Sequence, residues 1–136
     1  MKVVRKGEAE RFPAPDTIFT GEVWVDPVYN APEPGRVDSA FVNFEPGART
    51  HWHSHPLGQI LHVTSGEGFV QWQDGPAYVI REGDSVWIGP NELHAHGAAP
   101  GSAMCHLAIT ERTEEGGAYF HGPVTDEEYQ RPFAEA

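Results

Sequence analysis

The segment HWHSHPLGQ, residues 51–59, carries three histidines on alternate positions and ends in a glutamine. In an extended strand, side chains two residues apart point to the same side, so these imidazoles can share one face. Two of them can bind one metal ion, but a complete site needs ligands from elsewhere in the fold. Gln59 follows a Pro-Leu-Gly turn, and His94 and His96 lie on a later segment. The segment therefore predicts a metal site built on β-strands.

Composition limits the possible partners. The chain has 136 residues and a net charge of −11, which argues against nucleic acid and anionic membranes as partners, because both require a basic surface. The length predicts one domain. The first residues, MKVVRKGEAERF, lack the apolar stretch of a signal peptide, and Cys105, the single cysteine, has no intramolecular partner. We expect a cytoplasmic protein that acts on a small molecule.

Short apolar segments between Gly- and Pro-containing turns predict an all-β fold. No amphipathic helix separates them, which favours an antiparallel sandwich or barrel. The predicted strands are GEVWVD, SAFVNFE, GQILHVTSG, GFVQWQ, AYVIREGD, SVWIGP and AMCHLAIT.

The ends of the chain differ from this pattern. Prolines in RFPAPDT and YNAPEPGR exclude central strands in these two segments, so we expect residues 1–37 to be an arm with edge strands that wraps the barrel or a neighbouring subunit; a partly mobile tail is the alternative. Residues 38–112 form the predicted barrel core. Residues 113–136 form a tail with one short helix, in which Thr125 and Glu128 have capping-box spacing and Pro132 ends the helix.

Two motifs resemble those of the cupin superfamily. In the first, a glycine, His-x-His, a glutamate and a second glycine follow at fixed spacing; here Gly47, His53, His55, Gln59 and Gly66 match it, with glutamine in place of glutamate. The segment GDSVWIGPNELHAH, residues 83–96, resembles the second motif. It departs from the family at two turn positions, Gly89 and Asn91.

The resemblance implies a single-domain cupin, which is a jelly-roll barrel or double-stranded β-helix. It also implies four metal ligands: His53, His55, Gln59 and His94. Pairing His51 with His53 instead would break the motif spacing. Imidazole and carbonyl donors suit one divalent ion, for which Mn²⁺ is our choice and Fe²⁺, Co²⁺, Ni²⁺ and Zn²⁺ are alternatives.

The glutamine alters the expected chemistry of the site. A glutamate ligand brings a negative charge, whereas an amide carbonyl brings only a dipole, so the charge of the ion is left uncompensated by its ligands. We expect weaker metal binding and stronger Lewis acidity toward a bound hydroxyl. The loss of the carboxylate also disfavours Fe(III) and redox cycling.

Strand alternation predicts which other side chains face the site. A substrate pocket of small to medium apolar residues with one hydroxyl would be lined by Ala40, Val42, Phe44, Leu61 and Thr110. His96 and His106 are candidates for proton transfer, with plain packing roles as the alternative. His62 is out of phase with Gln59 and should face outward.

Most of the chain resembles a narrower group of small bacterial cupins associated with carboxymuconolactone decarboxylase, which includes manganese-dependent hydroxynitrile lyases. The segments that carry the likeness are FEPGART, WHSHPLGQ, HAHGAAP and HLAI. The resemblance implies cleavage of cyanohydrins such as (R)-mandelonitrile to an aldehyde and hydrogen cyanide, with His106 near the departing cyanide.

Other functions remain open at this point. The alternatives are an Fe- or Ni-dependent dioxygenase acting on a small aromatic or diketone substrate, a non-catalytic metal- or ligand-binding cupin, and a sugar isomerase. The resemblance also implies a homodimer or homotetramer.

Overall fold

The computed structural model describes residues 1–134 and is all-β apart from one C-terminal helix. The first six strands are β1 (Phe12–Pro13), β2 (Phe19–Thr20), β3 (Val23–Asn30), β4 (Val37–Phe44), β5 (Arg49–Thr50) and β6 (His53–Ser54). They are followed by β7 (Gln59–Trp72), β8 (Ala77–Arg81), β9 (Ser85–Ile88), β10 (His94–Ala98), β11 (Met104–Glu111), β12 (Tyr119–Phe120) and α1 (Asp126–Ala134). All strand pairs are antiparallel, which confirms the predicted fold class.

Strand β7 runs through the middle of the curled sheet. Its first half pairs with β9 and β11, and its second half pairs with β8 and β10. The sequence predicted two strands here, which is wrong. Gly66 has a φ of 79°, and an added Cβ would lie 1.9 Å from the carbonyl oxygen of Ala103, so this glycine permits a close crossing within one continuous strand.

The N-terminal region contributes to the same sheet. Strand β3 lies between the two-residue β1 and the eight-residue β4. Pro13 lies on the edge strand, and Pro27 lies opposite Ala40 of β4 next to a register shift, and both are positions where a strand tolerates proline.

The capping box of the helix is present: the backbone N–H of Thr125 donates to Glu128 Oε1, and that of Glu128 donates to Thr125 Oγ1. The predicted stop at Pro132 is wrong, since the helix continues to Ala134. Proline cannot donate to the carbonyl four residues earlier, at Glu128, but this oxygen accepts a hydrogen bond from Gln71 Nε2 at 3.0 Å instead. A side chain of the sheet thus compensates for the proline.

Two hydrophobic clusters fill the interior. The larger one lies between the halves of the curled sheet and includes Phe44, Leu61 and Val63. The smaller one joins Phe69 to Tyr129 of the helix. Within residues 1–134, no helix is long and apolar enough to cross a membrane.

Candidate metal centre

Four histidine rings gather where β6 and β10 pair. His53 and His94 are direct partners in the register of these strands, and their ring centroids lie 4.2 Å apart. The ring of His55 lies 5.0 Å from that of His53 and 5.3 Å from that of His94. His96, two residues after His94 on β10, lies on the same face. The fold thus brings together three of the four predicted ligands.

Hydrogen bonds to backbone carbonyls orient these three rings. The Nδ1 atoms of His53, His55 and His94 lie 2.9, 2.7 and 2.8 Å from the carbonyl oxygens of His51, Gly117 and Glu92, respectively. A carbonyl can only accept, so each Nδ1 carries the proton and each Nε2 keeps a free lone pair. This arrangement is typical of metal-binding histidines, because the second nitrogen is then fixed as a donor to the ion.

The fourth predicted ligand, Gln59, is the first residue of β7. Its Nε2 donates to Thr110 Oγ1 at 2.9 Å, whereas its Oε1 has no hydrogen-bond partner in the part of the chain that the structure describes. Buried polar atoms without partners are rare, because each loses its hydration without compensation. Here His55 Nε2, Gln59 Oε1 and His94 Nε2 are all buried, and none has a hydrogen-bond partner within residues 1–134. A cation would satisfy all three lone pairs, so the donor set fits a divalent metal.

His96 and His106 form a buried pair beside this donor set. His106 Nε2 lies 3.0 Å from His96 Nδ1, so one ring donates to the other. The remaining ring nitrogens, His96 Nε2 and His106 Nδ1, have no hydrogen-bond partner among the described residues. Imidazole nitrogens of His53, His94 and His96 lie within 4.8 Å of one another. Proximity alone would therefore allow His96 as a ligand, although the sequence motif assigns it no such role.

All of these imidazoles are neutral at pH 7. Burial lowers the pKa of His53 and His96 well below the ordinary value, and neighbouring histidines lower it further. Burial lowers the pKa of His94 and of His106 to about 4 in each case, and it also lowers the pKa of His55. A metal ion binds the neutral form of imidazole, so the site is prepared for a cation without releasing protons from its histidines.

Of the predicted pocket residues, Ala40, Val42 and Thr110 are partly buried, whereas Phe44 and Leu61 are fully buried. Val42 pairs with His106, and Ala40 pairs with Ala108, in the register of β4 and β11. Phe44 is fully buried in the core, with its ring centroid 5.3 Å from that of His106, and Leu61 is also fully buried. Thr110 bonds to Gln59. His62 lies away from the cluster, where it bonds to Ser85.

A cavity of about 830 Å³ lies elsewhere, between the N-terminal segment and the outer face of the sheet. Its lining includes Arg11, Asp26 and Phe41, and none of the predicted site residues. Arg11 and Asp26 already form an ion pair.

Two contacts from the C-terminal tail were missed by the sequence interpretation. The carbonyl of Gly117 bonds His55, and the ring of Phe120 stacks on that of His53, with centroids 5.1 Å apart and planes at 17°. The sequence contained a signal for the strand: Ala-Tyr-Phe follows Gly116-Gly117, which is an aromatic segment after a turn. Nothing in it indicated which strand this segment would join.

Comparisons with known proteins agree with this description. The family model described as the cupin domain matches residues 40–110. The chain is 49% identical over 131 residues to a curated protein of Granulicella tundricola named (R)-mandelonitrile lyase, and the match covers 96% of this chain and all of that protein.

Solved structures show the same fold. A cupin-like protein from Thermotoga maritima is 41% identical, with a TM-score of 0.84 and 97% coverage of both chains. The polyketide cyclase RemF from Streptomyces resistomycificus, at 15% identity, has a TM-score of 0.74 and covers all of this chain, with 94% of its own length matched. The domain match, the near full-length relative and the shared barrel establish that this chain belongs to the cupin family.

Proposed function

We propose that this protein is a metal-dependent lyase that cleaves and forms cyanohydrins such as (R)-mandelonitrile, with an aldehyde and hydrogen cyanide as the products of cleavage. Similarity to a curated lyase over nearly the whole chain indicates an enzyme. The single observation that carries the proposal is the group of buried nitrogen and oxygen atoms of His55, Gln59 and His94 that have no hydrogen-bond partner within residues 1–134.

His53, His55, Gln59 and His94 would hold one divalent cation, for which we propose Mn²⁺. Such a cation supplies Lewis acidity, which stabilises negative charge developing on the substrate oxygen. The ligands themselves are neutral, so they do not offset the positive charge of the cation. Fixed Nδ1 hydrogen bonds keep the rings in place without reorganisation during the reaction.

The His96–His106 pair would move the proton. In cleavage, the hydroxyl loses its proton, the bond between the carbinol carbon and the nitrile carbon breaks, and the electron pair leaves with cyanide, which then takes up a proton. A neutral imidazole can accept the first proton and supply the second, and low pKa values keep both rings neutral beforehand. Because the two rings share one hydrogen bond, a proton gained at His96 Nε2 can be relayed through Nδ1 to His106.

Small side chains beside His106 would accommodate the substrate. Ala40 and Val42 are partly buried, and Val42 lies opposite His106 in the register. Their limited volume would leave space for a compact, partly aromatic molecule, whereas Phe44 and Leu61 are fully buried in the core.

The decisive experiment measures benzaldehyde release from racemic mandelonitrile at mildly acidic pH, where spontaneous decomposition is slow. Chelator-treated protein, the same protein with Mn²⁺ restored, and His53→Ala and His62→Ala variants are compared. We expect Mn²⁺ to restore activity to the wild type and to His62→Ala, but not to His53→Ala. The enantiomer left unconsumed reveals the stereochemical preference.

No release above background in wild-type protein that demonstrably contains Mn²⁺ would refute the lyase. Oxygen consumption by the Fe²⁺-loaded protein would then test the dioxygenase alternative with the same ligands.

A further inference from the structure

We propose that the segment 117–122, here called the strap, supplies two positioning groups to the metal centre: the Gly117 carbonyl, which orients His55, and the Phe120 ring, which orients His53. This inference rests on the proposed metal site. It assigns a role in metal binding to a tail segment that lies outside both cupin motifs.

The first contact fixes the tautomer of His55. Gly117 O lies 2.7 Å from His55 Nδ1, across 62 residues of sequence. His55 lies in the turn before β7, outside any strand, so its ring is not held by the β-ladder. The strap therefore supplies the acceptor that keeps its Nε2 deprotonated and directed toward the other ligands.

The second contact fixes the plane of His53. Phe120 pairs with His53 in the register of β12 and β6, and the two rings are stacked. Nδ1 of His53 is held at one edge by the carbonyl of His51. A hydrogen bond at the edge leaves the ring free to rotate about that direction, whereas an aromatic ring against its face removes this freedom. Together the two contacts define one ring orientation.

The strap is itself anchored along its length. The backbone N–H of Trp52 donates to Gly122 O at 3.0 Å, and that of His121 donates to Trp52 O at 2.7 Å. Beyond the strap, Arg49 Nη2 donates to the carbonyl of Val124 and to the carboxylate of Asp126, and its guanidinium lies 4.3 Å from the ring centre of Tyr129. The buried arginine thus holds the end of the strap against the barrel.

These contacts predict that weakening the strap lowers metal affinity without unfolding the barrel. Outer contacts that orient a ligand typically change metal affinity by about 10- to 100-fold. Phe120 is 40% exposed, so its truncation creates no closed cavity in the core. Tyr119, the preceding residue, is 45% exposed, pairs with Ser54 rather than with a candidate ligand, and donates from its hydroxyl to Glu115 at 3.5 Å, which makes Tyr119→Ala the matched control.

The test compares wild type with Phe120→Ala, Phe120→Leu, Phe120→Trp and Tyr119→Ala. Mn²⁺ affinity is measured by calorimetry, the rate of metal release to a chelator is followed, and the visible absorption of bound Co²⁺ reports ligand geometry. We expect Phe120→Ala and Phe120→Leu to bind about tenfold or more weakly, with a changed Co²⁺ spectrum. Phe120→Trp, which restores a flat ring, and Tyr119→Ala should resemble wild type.

The carbonyl contact is tested through the preceding turn. Gly116 has a φ of 119°, so Gly116→Ala strains the turn and shifts Gly117, whereas Gly122→Ala adds a methyl group into open space. We expect weaker metal binding only in Gly116→Ala. Wild-type affinity, release rate and Co²⁺ spectrum in Phe120→Ala and Gly116→Ala would overturn the strap proposal alone, whereas failure of the wild type to bind any divalent metal would overturn the proposed function.

Discussion

The side-chain amide of Gln59 donates to Oγ1 of Thr110 at 2.9 Å across the pairing of β7 with β11. Because the amide has one donor end and one acceptor end, this bond also determines the direction of Oε1, which is buried without a partner near the histidines. A glutamate at this position would not need a hydrogen bond to orient it, since either of its carboxylate oxygens can bind the metal. Thr110, predicted as a pocket residue, thus has a positioning contact with a candidate ligand.

Replacing Thr110 tests this contact. Thr110→Val keeps the shape but removes the acceptor, so the amide can rotate and present its NH₂ group to the metal. We expect about tenfold weaker Mn²⁺ binding, measured by calorimetry. Thr110→Ser retains a hydroxyl and should bind as wild type does. Equal affinities for all three proteins would show that Gln59 does not depend on Thr110.

Gln59→Glu tests the role of the neutral amide. A carboxylate adds a negative ligand charge, and Thr110 can turn its hydroxyl to donate to it. We expect Mn²⁺ to bind more tightly, by roughly tenfold, because a charged ligand attracts the ion more strongly at short range. Mandelonitrile cleavage should slow at saturating Mn²⁺, since Lewis acidity falls. Calorimetry and turnover on the same samples check both parts; tighter binding with faster cleavage would contradict the argument.

The sequence predicted the strand content well because alternation and turn residues are local signals. Its errors arose where a distant contact decided the outcome. Gly66, the end of one predicted strand, lies at a close crossing with Ala103 within a continuous strand, and Pro132, the predicted helix end, is tolerated because Gln71 donates to the free carbonyl of Glu128. Neither partner lies near in sequence, so no local pattern could reveal them.

The site shows the same limit. Spacing predicted a histidine cluster, and the fold brings His53, His55 and His94 together. Spacing could not predict which carbonyls orient these rings, because every residue has a carbonyl and the fold determines which one lies beside each ring. Gly117 and Phe120 illustrate this, since both act from a strand whose partner the sequence left undetermined.

The capping box of the helix should contribute measurably to stability. Thr125→Ala removes the oxygen that accepts from the backbone N–H of Glu128 at 3.1 Å, so the free energy of unfolding should fall by about 1 kcal/mol. Glu127→Ala, on the exposed side of the same helical turn, is the control and should cost less. Urea unfolding followed by circular dichroism measures both; equal losses would mean that the cap contributes nothing specific.

Acid should destabilise the metal-free protein through His106. Burial lowers its folded-state pKa from 6.5 to about 4, so as the pH falls the unfolded chain takes up this proton first. The contribution of neutral His106 to the free energy of unfolding is therefore complete above pH 6.5 and is lost as the pH falls to about 4. The total loss from this group is on the order of 3 kcal/mol.

His106→Gln isolates that contribution, because the oxygen of a glutamine side chain can still accept a hydrogen bond from His96 Nδ1, whereas the amide does not titrate in this range. Free energies of unfolding from urea titrations at neutral and acidic pH should fall less in this variant than in wild type. Val63→Ala serves as the control, since Val63 is a fully buried neighbour of His106 in the register of β7 and β11. It should lower stability similarly at each pH, because it removes apolar contacts and no titrating group. If His106→Gln and wild type lost stability in parallel, His106 would not be the source of the acid sensitivity.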